Sequence, residues 1–217
     1  MSSPQTSVGR PPVLPEKERK ALILQAAEGV FAQMGYGDAT MEEVARACGM
    51  AKKTVYKFFP DKLALFGALV ASHDILMVSE ATPVSEADDT ASRLRRLIDE
   101  LARFMLSPRQ LILTRLVIAE AGKSPELAER FYRECVEKTR SYVAETVERT
   151  LPPSIRTVVA PSLLADMLIG AALGTIHFKA LMLNLAPDDM RKDLAQGIAL
   201  ATDIILAGLG HRVASQH

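Results

Sequence analysis

From residue 16 almost to the C-terminus, apolar side chains recur at three- and four-residue spacings. No stretch alternates polar with apolar long enough to make a strand. That pattern restricts the chain to an all-α fold. Ile23, Ala27, Val30, Phe31 and Met34 form the stripe of a first helix over 16–34, and Gly35-Tyr36-Gly37-Asp38 ends it, since glycine enters the left-handed conformation of a helix exit. Thr40-Met41-Glu42-Glu43 has the form of a capping box, the Thr40 hydroxyl accepting from the Glu43 amide and the Glu43 carboxylate reaching back. The helix it opens is short, because Gly49 follows Cys48. A third short helix spans 52–58, before Pro60. Longer helices are expected at 61–79, 91–106, 108–121, 125–150, 159–183 and 188–209, with a polar loop at 80–90. Pro108, Pro125, Pro152, Pro153, Pro161 and Pro187 fall at or near the breaks, where a first turn tolerates proline. The expectation is about nine helices: a three-helix head at 16–60 and a larger helical body at 61–217, behind a Pro-rich, flexible arm at 1–15.

With 48% hydrophobic residues the chain has material for a real core, and 26 basic against 26 acidic residues rule out a coat of positive potential. The distribution is more informative. Residues 1–70 hold nine Lys and Arg against seven Asp and Glu, a slight basic excess confined to the head. Cys48 and Cys135 match no zinc or redox spacing and are expected as reduced, structural thiols. The apolar run Leu163–Leu185 has the length of a membrane span, but Asp166, His177, Lys179 and Asn184 interrupt it, so a buried helix of a soluble, cytoplasmic protein is the expectation. The histidines (His73, His177, His211, His217) are scattered, and catalytic, phosphate-loop and dinucleotide motifs are absent. No enzyme activity, metal or cofactor is expected.

The segment 52–59 carries the chemistry. At about 100° per residue, Lys52, Tyr56, Lys53 and Lys57 share an arc of roughly 140°. Val55, Phe58 and Phe59 lie on the other side, and Thr54 sits on the boundary. Taken alone, three lysines on a short helix also describe an ordinary solvated face. Preceded by a capped short helix and a tight glycine turn, the segment instead completes a helix-turn-helix, with an apolar back and donors for a major groove.

The run Ile23–Phe31, then Gly35-Tyr36, then Thr40 to Lys62, resembles the DNA-binding domain of the TetR family of bacterial transcriptional regulators. The matching positions include Val44-Ala45, Gly49, Lys52, Thr54-Val55-Tyr56, Phe58-Phe59-Pro60 and Lys62. The resemblance implies double-stranded DNA as partner. Lys52, Lys53, Tyr56 and Lys57 would face the groove, Thr54 would flank them, and Thr40 would be a cap that also meets phosphate. Lys62 would bind phosphate, and Arg10, Lys17 and Lys20 would add backbone or minor-groove contacts. Three positions depart from the family pattern: Ala51 stands where a capping Ser is usual, Lys53 where Gly is common, and Leu63 where Glu usually follows.

In the body, the helix at 159–183 carries Leu164, Met167, Leu168, Ala171, Gly174, Thr175, Phe178 and Met182, and the last helix carries Leu194, Ile198, Ala201, Ile205 and Leu209. These stripes fit an intramolecular core and a dimer seam equally well; the resemblance implies a four-helix seam in a homodimer. Phe104, Glu120, Phe131, Tyr132, Cys135, His177 and Phe178 are the candidates for an effector pocket, ordinary core packing being the alternative for each. The resemblance further implies a repressor on a pseudo-palindromic operator, released by a small molecule that shifts the fourth helix and the spacing of the two heads. A DNA-binding regulator or architectural protein with no effector shares the same head.

Overall fold

The computed structural model describes residues 14–73, 89–183 and 187–215. Arg10, nearly all of the expected arm and most of the 80–90 loop lie outside them. Among the described residues every regular element is helical.

The head opens with α1 (Glu16–Asp38), broken at Gly35, whose φ of 78° leaves the helical region and turns the chain as the glycine run predicts. α2 (Met41–Ala47) and α3 (Lys52–Phe58) follow, and α4 (Lys62–Ala71) starts from the Asp61 side chain, which accepts the Ala64 amide at 2.7 Å. Ile23, Ala27 and Phe31 of α1, Val44 of α2, Val55 of α3, and Leu65 and Phe66 of α4 are all buried together. Phe66 sits edge-on to both Phe31 (6.2 Å between ring centres) and Tyr36 (5.7 Å). The head core therefore runs past residue 60 into α4.

The body consists of α5 (Thr90–Met105), α6 (Pro108–Glu120), α7 (Pro125–Phe131), a π-helical turn (Tyr132–Glu137), α8 (Lys138–Thr150), α9 (Pro153–Arg156), α10 (Pro161–Leu183) and α11 (Pro187–Ala214). Asp89 caps α5 at the Ser92 amide (2.7 Å), and Ser107 caps α6 at the Gln110 amide (3.2 Å) ahead of Pro108. The single helix expected at 125–150 is continuous but contains the π turn. α9 was not expected, and α11 runs beyond 209.

The π turn has a cause in the sequence. Leu127, Phe131 and Cys135, then Val143 and Val147, are buried at multiples of four residues. In an α-helix four residues overshoot a full turn by about 40°, so such a stripe would drift off the core. One wider turn winds it back.

α10 and α11 pack on one another, α10 also on α8, and α11 on α5. Both are long and apolar enough by composition to cross a membrane. Leu164, Leu168 and Ala172 of α10 and Ile198, Ala201 and Leu209 of α11 are buried within the protomer. Head and body meet where α6 packs on α1 and where α7 and the π turn pack on α4. Arg109 of α6 pairs with Glu28 of α1 at 3.0 Å and donates to Ser72 at the end of α4 (3.0 Å). Arg115 of the same helix donates to the carbonyls of Ala180 and Leu181 in the last turn of α10.

Candidate nucleic-acid interface and body cavity

The helix-turn-helix is built by local bonds. Thr40 Oγ1 accepts the Glu43 amide at 3.2 Å, and Glu43 Oε2 accepts the Thr40 amide at 2.9 Å, the expected capping box. The Thr40 hydroxyl donates to the same carboxylate at 2.8 Å. At the far end of α2 the Met50 amide reaches Ala45 O (3.0 Å) and the Gly49 amide reaches Arg46 O (3.2 Å). With φ of 66° at Gly49, this is a Schellman exit, which sets the angle at which α3 departs.

α3 turns Val55 wholly inward, and Phe59 just beyond it is buried as well. Lys52, Lys53, Tyr56 and Lys57 are exposed and Thr54 is half-buried. Lys52 is ion-paired with Glu42 of α2, and its ammonium lies 5.6 Å from the centre of the Tyr56 ring. The hydrogen bond between them lowers the Glu42 pKa and raises that of Lys52. As expected, no side chain caps α3 at Ala51. Lys17 and Lys20 are exposed on the first turns of α1.

Lys62 departs from expectation. Its ammonium donates to the carbonyls of Tyr36 (2.5 Å), Gly37 (3.0 Å) and Ala39 (2.8 Å), and lies 4.5 Å from the centre of the Tyr36 ring. Three donors meet three acceptors, so none remains for a phosphate. Burial pushes its pKa down, while Glu120, Asp38 and Glu43 pull it up. In the free chain Lys62 ties α4 to the exit of α1. Burial likewise pushes the neighbouring Tyr36 phenol up to about 12.

In the body, α5, α6, α7, the π turn, α8 and α10 line a half-open cavity of about 330 Å³. Four of the expected pocket residues line it: Phe104, Phe131, Cys135 and His177. Three do not. Glu120 borders a separate hollow beside Phe31 and Gly35, its carboxylate against the turn after α1. Tyr132 and Phe178 are 54% and 65% exposed on the outside of their helices. The sequence reading missed Gln110, Thr139, Arg140 and Asp166, which line the cavity. In the sequence Asp166 stands out only as an interruption of an apolar run. It accepts two bonds from Arg140 (2.6 and 2.7 Å), which hold the carboxyl below the usual carboxylate range. Buried Gln110 donates from Nε2 to Cys135 Sγ at 3.2 Å.

The expected seam residues also divide. Met167, Ala171, Gly174, Thr175, Phe178 and Met182 form an exposed stripe on α10. Leu164 and Leu168 do not belong to it, being wholly buried in the protomer core. On α11 the expected stripe is the inward one: Ile198, Ala201 and Leu209 are buried and Leu194 and Ile205 half-buried, while Leu200 and Ile204 are 56% and 62% exposed. The helix is apolar on two faces, and periodicity alone selected the core face.

A capped scaffold helix, a Schellman turn and a short helix with a buried back and a cationic front define a helix-turn-helix DNA-binding transcriptional regulator. Residues 23–69 match the family model for bacterial regulatory proteins of the tetR family, and residues 92–208 match that of the AefR-like transcriptional repressor C-terminal domain. The chain belongs to the TetR family. The transcriptional activator FasR of Mycolicibacterium smegmatis is 33% identical over 93 residues, 42% of this chain and 42% of FasR. The transcriptional regulator YhgD of Bacillus subtilis is 47% identical over 49 residues, 23% of this chain and 26% of YhgD. The chain thus spans less than half the length of either relative. The crystal structure of a TetR-family regulator from Mesorhizobium loti superposes with a TM-score of 0.72 at 27% identity, covering 90% of this chain and 98% of that one. The relatives and the fold are those of regulators, not enzymes.

Proposed function

We propose that this chain is a cytoplasmic repressor that binds a pseudo-palindromic operator as a homodimer and leaves it when a small molecule fills the body cavity. The observation that carries the effector is the contact path from the cavity to the head. Phe104, a cavity wall, stacks on His73 just after α4 (5.2 Å between ring centres). His73 Nε2 lies 3.1 Å from Ser107 Oγ at the start of α6, and Arg109 of α6 holds both Ser72 and Glu28. A molecule that displaces Phe104 thereby strains α4 and the spacing of two heads that must meet major grooves about 34–36 Å apart.

The homodimer is supported by the exposed apolar stripe of α10 together with Leu200 and Ile204 of α11. A monomer would leave this face in water. On DNA, Lys52, Lys53, Tyr56 and Lys57 would enter the groove, Thr54 and Thr40 would flank them, and Lys17 and Lys20 would meet the backbone. Repression accords with the name of the C-terminal family model.

The test is retardation of a fragment carrying the gene's own promoter, with and without cell-extract metabolites. Binding should fall steeply as salt rises, Lys57→Ala should weaken it at unchanged helical content, and an extract fraction should release it. Absence of salt-sensitive binding to promoter and random DNA alike would overturn the reading. Binding that no fraction releases would remove the effector and leave a regulator without one.

A further inference from the structure

We infer that Arg130, seated on Gly67, is the positioning residue through which the body cavity sets the tilt of α4 and so the spacing of the heads; the inference rests on the cavity being an effector site and on the paired heads proposed above. Gly67 stands in the middle of α4 (Lys62–Ala71) and is buried. A helix interior disfavours glycine relative to alanine, so its presence there asks for a reason. Conformation is not the reason, because the positive φ values among the described glycines belong to Gly35 and Gly49. Close approach is. A methyl group at position 67 would stand 3.2 Å from Cδ and 3.3 Å from Nη1 of Arg130, tighter than ordinary van der Waals contact. With no side chain between them, the stem of Arg130 rests on the backbone of α4.

Arg130 belongs to the part of the body that lines the cavity. It precedes Phe131, the last residue of α7, and its Nη1 lies 3.9 Å from Glu134 Oε1 in the π turn. Phe131, Cys135 and Val136 of the same stretch are cavity walls. A molecule that presses on them moves the segment that carries Arg130, and the close packing at Gly67 leaves no slack to absorb the movement. This contact is separate from the stacking of Phe104 on His73. Ser72 and His73 hold the C-terminal end of α4 against α5 and α6, through Phe104, Ser107 and Arg109. Measured back from Ser72 at about 1.5 Å per residue, Gly67 is about 7.5 Å and Lys62 about 15 Å along the axis. With the end held, a shift of about 0.5 Å at Gly67 becomes about 1 Å at Lys62. Leu65 and Phe66 of α4 lie in the head core with Val55 of α3, so the recognition helix moves with α4.

Retardation of the promoter fragment by the full chain, beside random-sequence DNA of the same length, tests this. Gly67→Ala wedges Arg130 away and should weaken promoter binding at least about fivefold. Helical content should hold, and so should binding to random DNA, which single heads make whatever their spacing. Cys135→Phe adds a ring on the cavity side of the π turn and stands in for an occupant; it should weaken promoter binding in the same way, with Val136→Phe in its place if it does not fold. In the Arg130→Ala background both losses should shrink to less than about twofold, the non-additivity of a shared contact. A Gly67→Ala loss that persists without Arg130, an equal loss on random DNA, or no loss at all overturns the inference. A loss from the cavity-side ring that persists without Arg130 also overturns it while leaving the effector reading intact, for the cavity then reaches the head by another contact. A wild type that binds promoter no better than random DNA removes the proposed function and the inference with it.

Discussion

Ala51 opens α3 with extended backbone (φ −62°, ψ 138°) and no side-chain acceptor for the first free amides of the helix. That backbone already suits a capping residue. Ala51→Ser should therefore raise the free energy of unfolding by about 1 kcal/mol, read as a shifted urea midpoint at constant slope. An unchanged midpoint would mean that the hydroxyl finds no amide to accept. Lys62 makes the opposite case. Lys62→Met keeps the stem and removes the ammonium from three carbonyls, and should cost roughly 2 kcal/mol of stability, seen in thermal unfolding without any DNA present. If Lys62 served phosphate alone, stability would hold and only DNA affinity would fall.

At the scale of whole helices, the structure separates two faces of α11 that look alike in sequence. Leu200→Asp with Ile204→Asp should give a folded monomer in sedimentation, because both side chains are exposed in the protomer. Ile198→Ala should instead destabilise the protomer by about 2–5 kcal/mol, for it is buried there. A double aspartate variant that remains dimeric would place the seam elsewhere. The head was legible because its determinants are local: a capping box four residues long, a glycine with φ of 66°, and a helix of seven residues. The cavity was only half legible. Phe104, Phe131, Cys135 and His177 announce themselves as polar, aromatic or thiol groups in apolar runs. Arg140 and Asp166, 26 residues apart in the chain, look like ordinary surface charges until two helices bring them together. The π turn was not legible as such: the four-residue stripe of α7 and α8 differs from an ordinary helical stripe only in a drift that accumulates over several turns.

The folded chain as a whole should respond to pH through His177. Its pKa is lowered on folding by burial, so below the unfolded value of about 6.5 the unfolded chain binds the proton first. Stability from this group is present above that value and lost as pH falls through the lower, folded one. Denaturant midpoints should decline over that window, and His177→Leu should flatten this part of the decline. The lowered carboxylates Glu42, Asp89, Glu134 and Asp166 lose their partners only at more acidic pH. An equal slope in the variant would assign the decline to other groups. The Lys52–Glu42 pair bears on how binding to DNA is measured. In the proposed complex Glu42 is a tethered counterion: Lys52 would have to give it up to meet DNA, and the freed carboxylate would draw cations from solution. Part of the counterion release at the DNA would thereby be offset on the protein, and the slope of affinity against salt should undercount the lysines engaged, by at most about one.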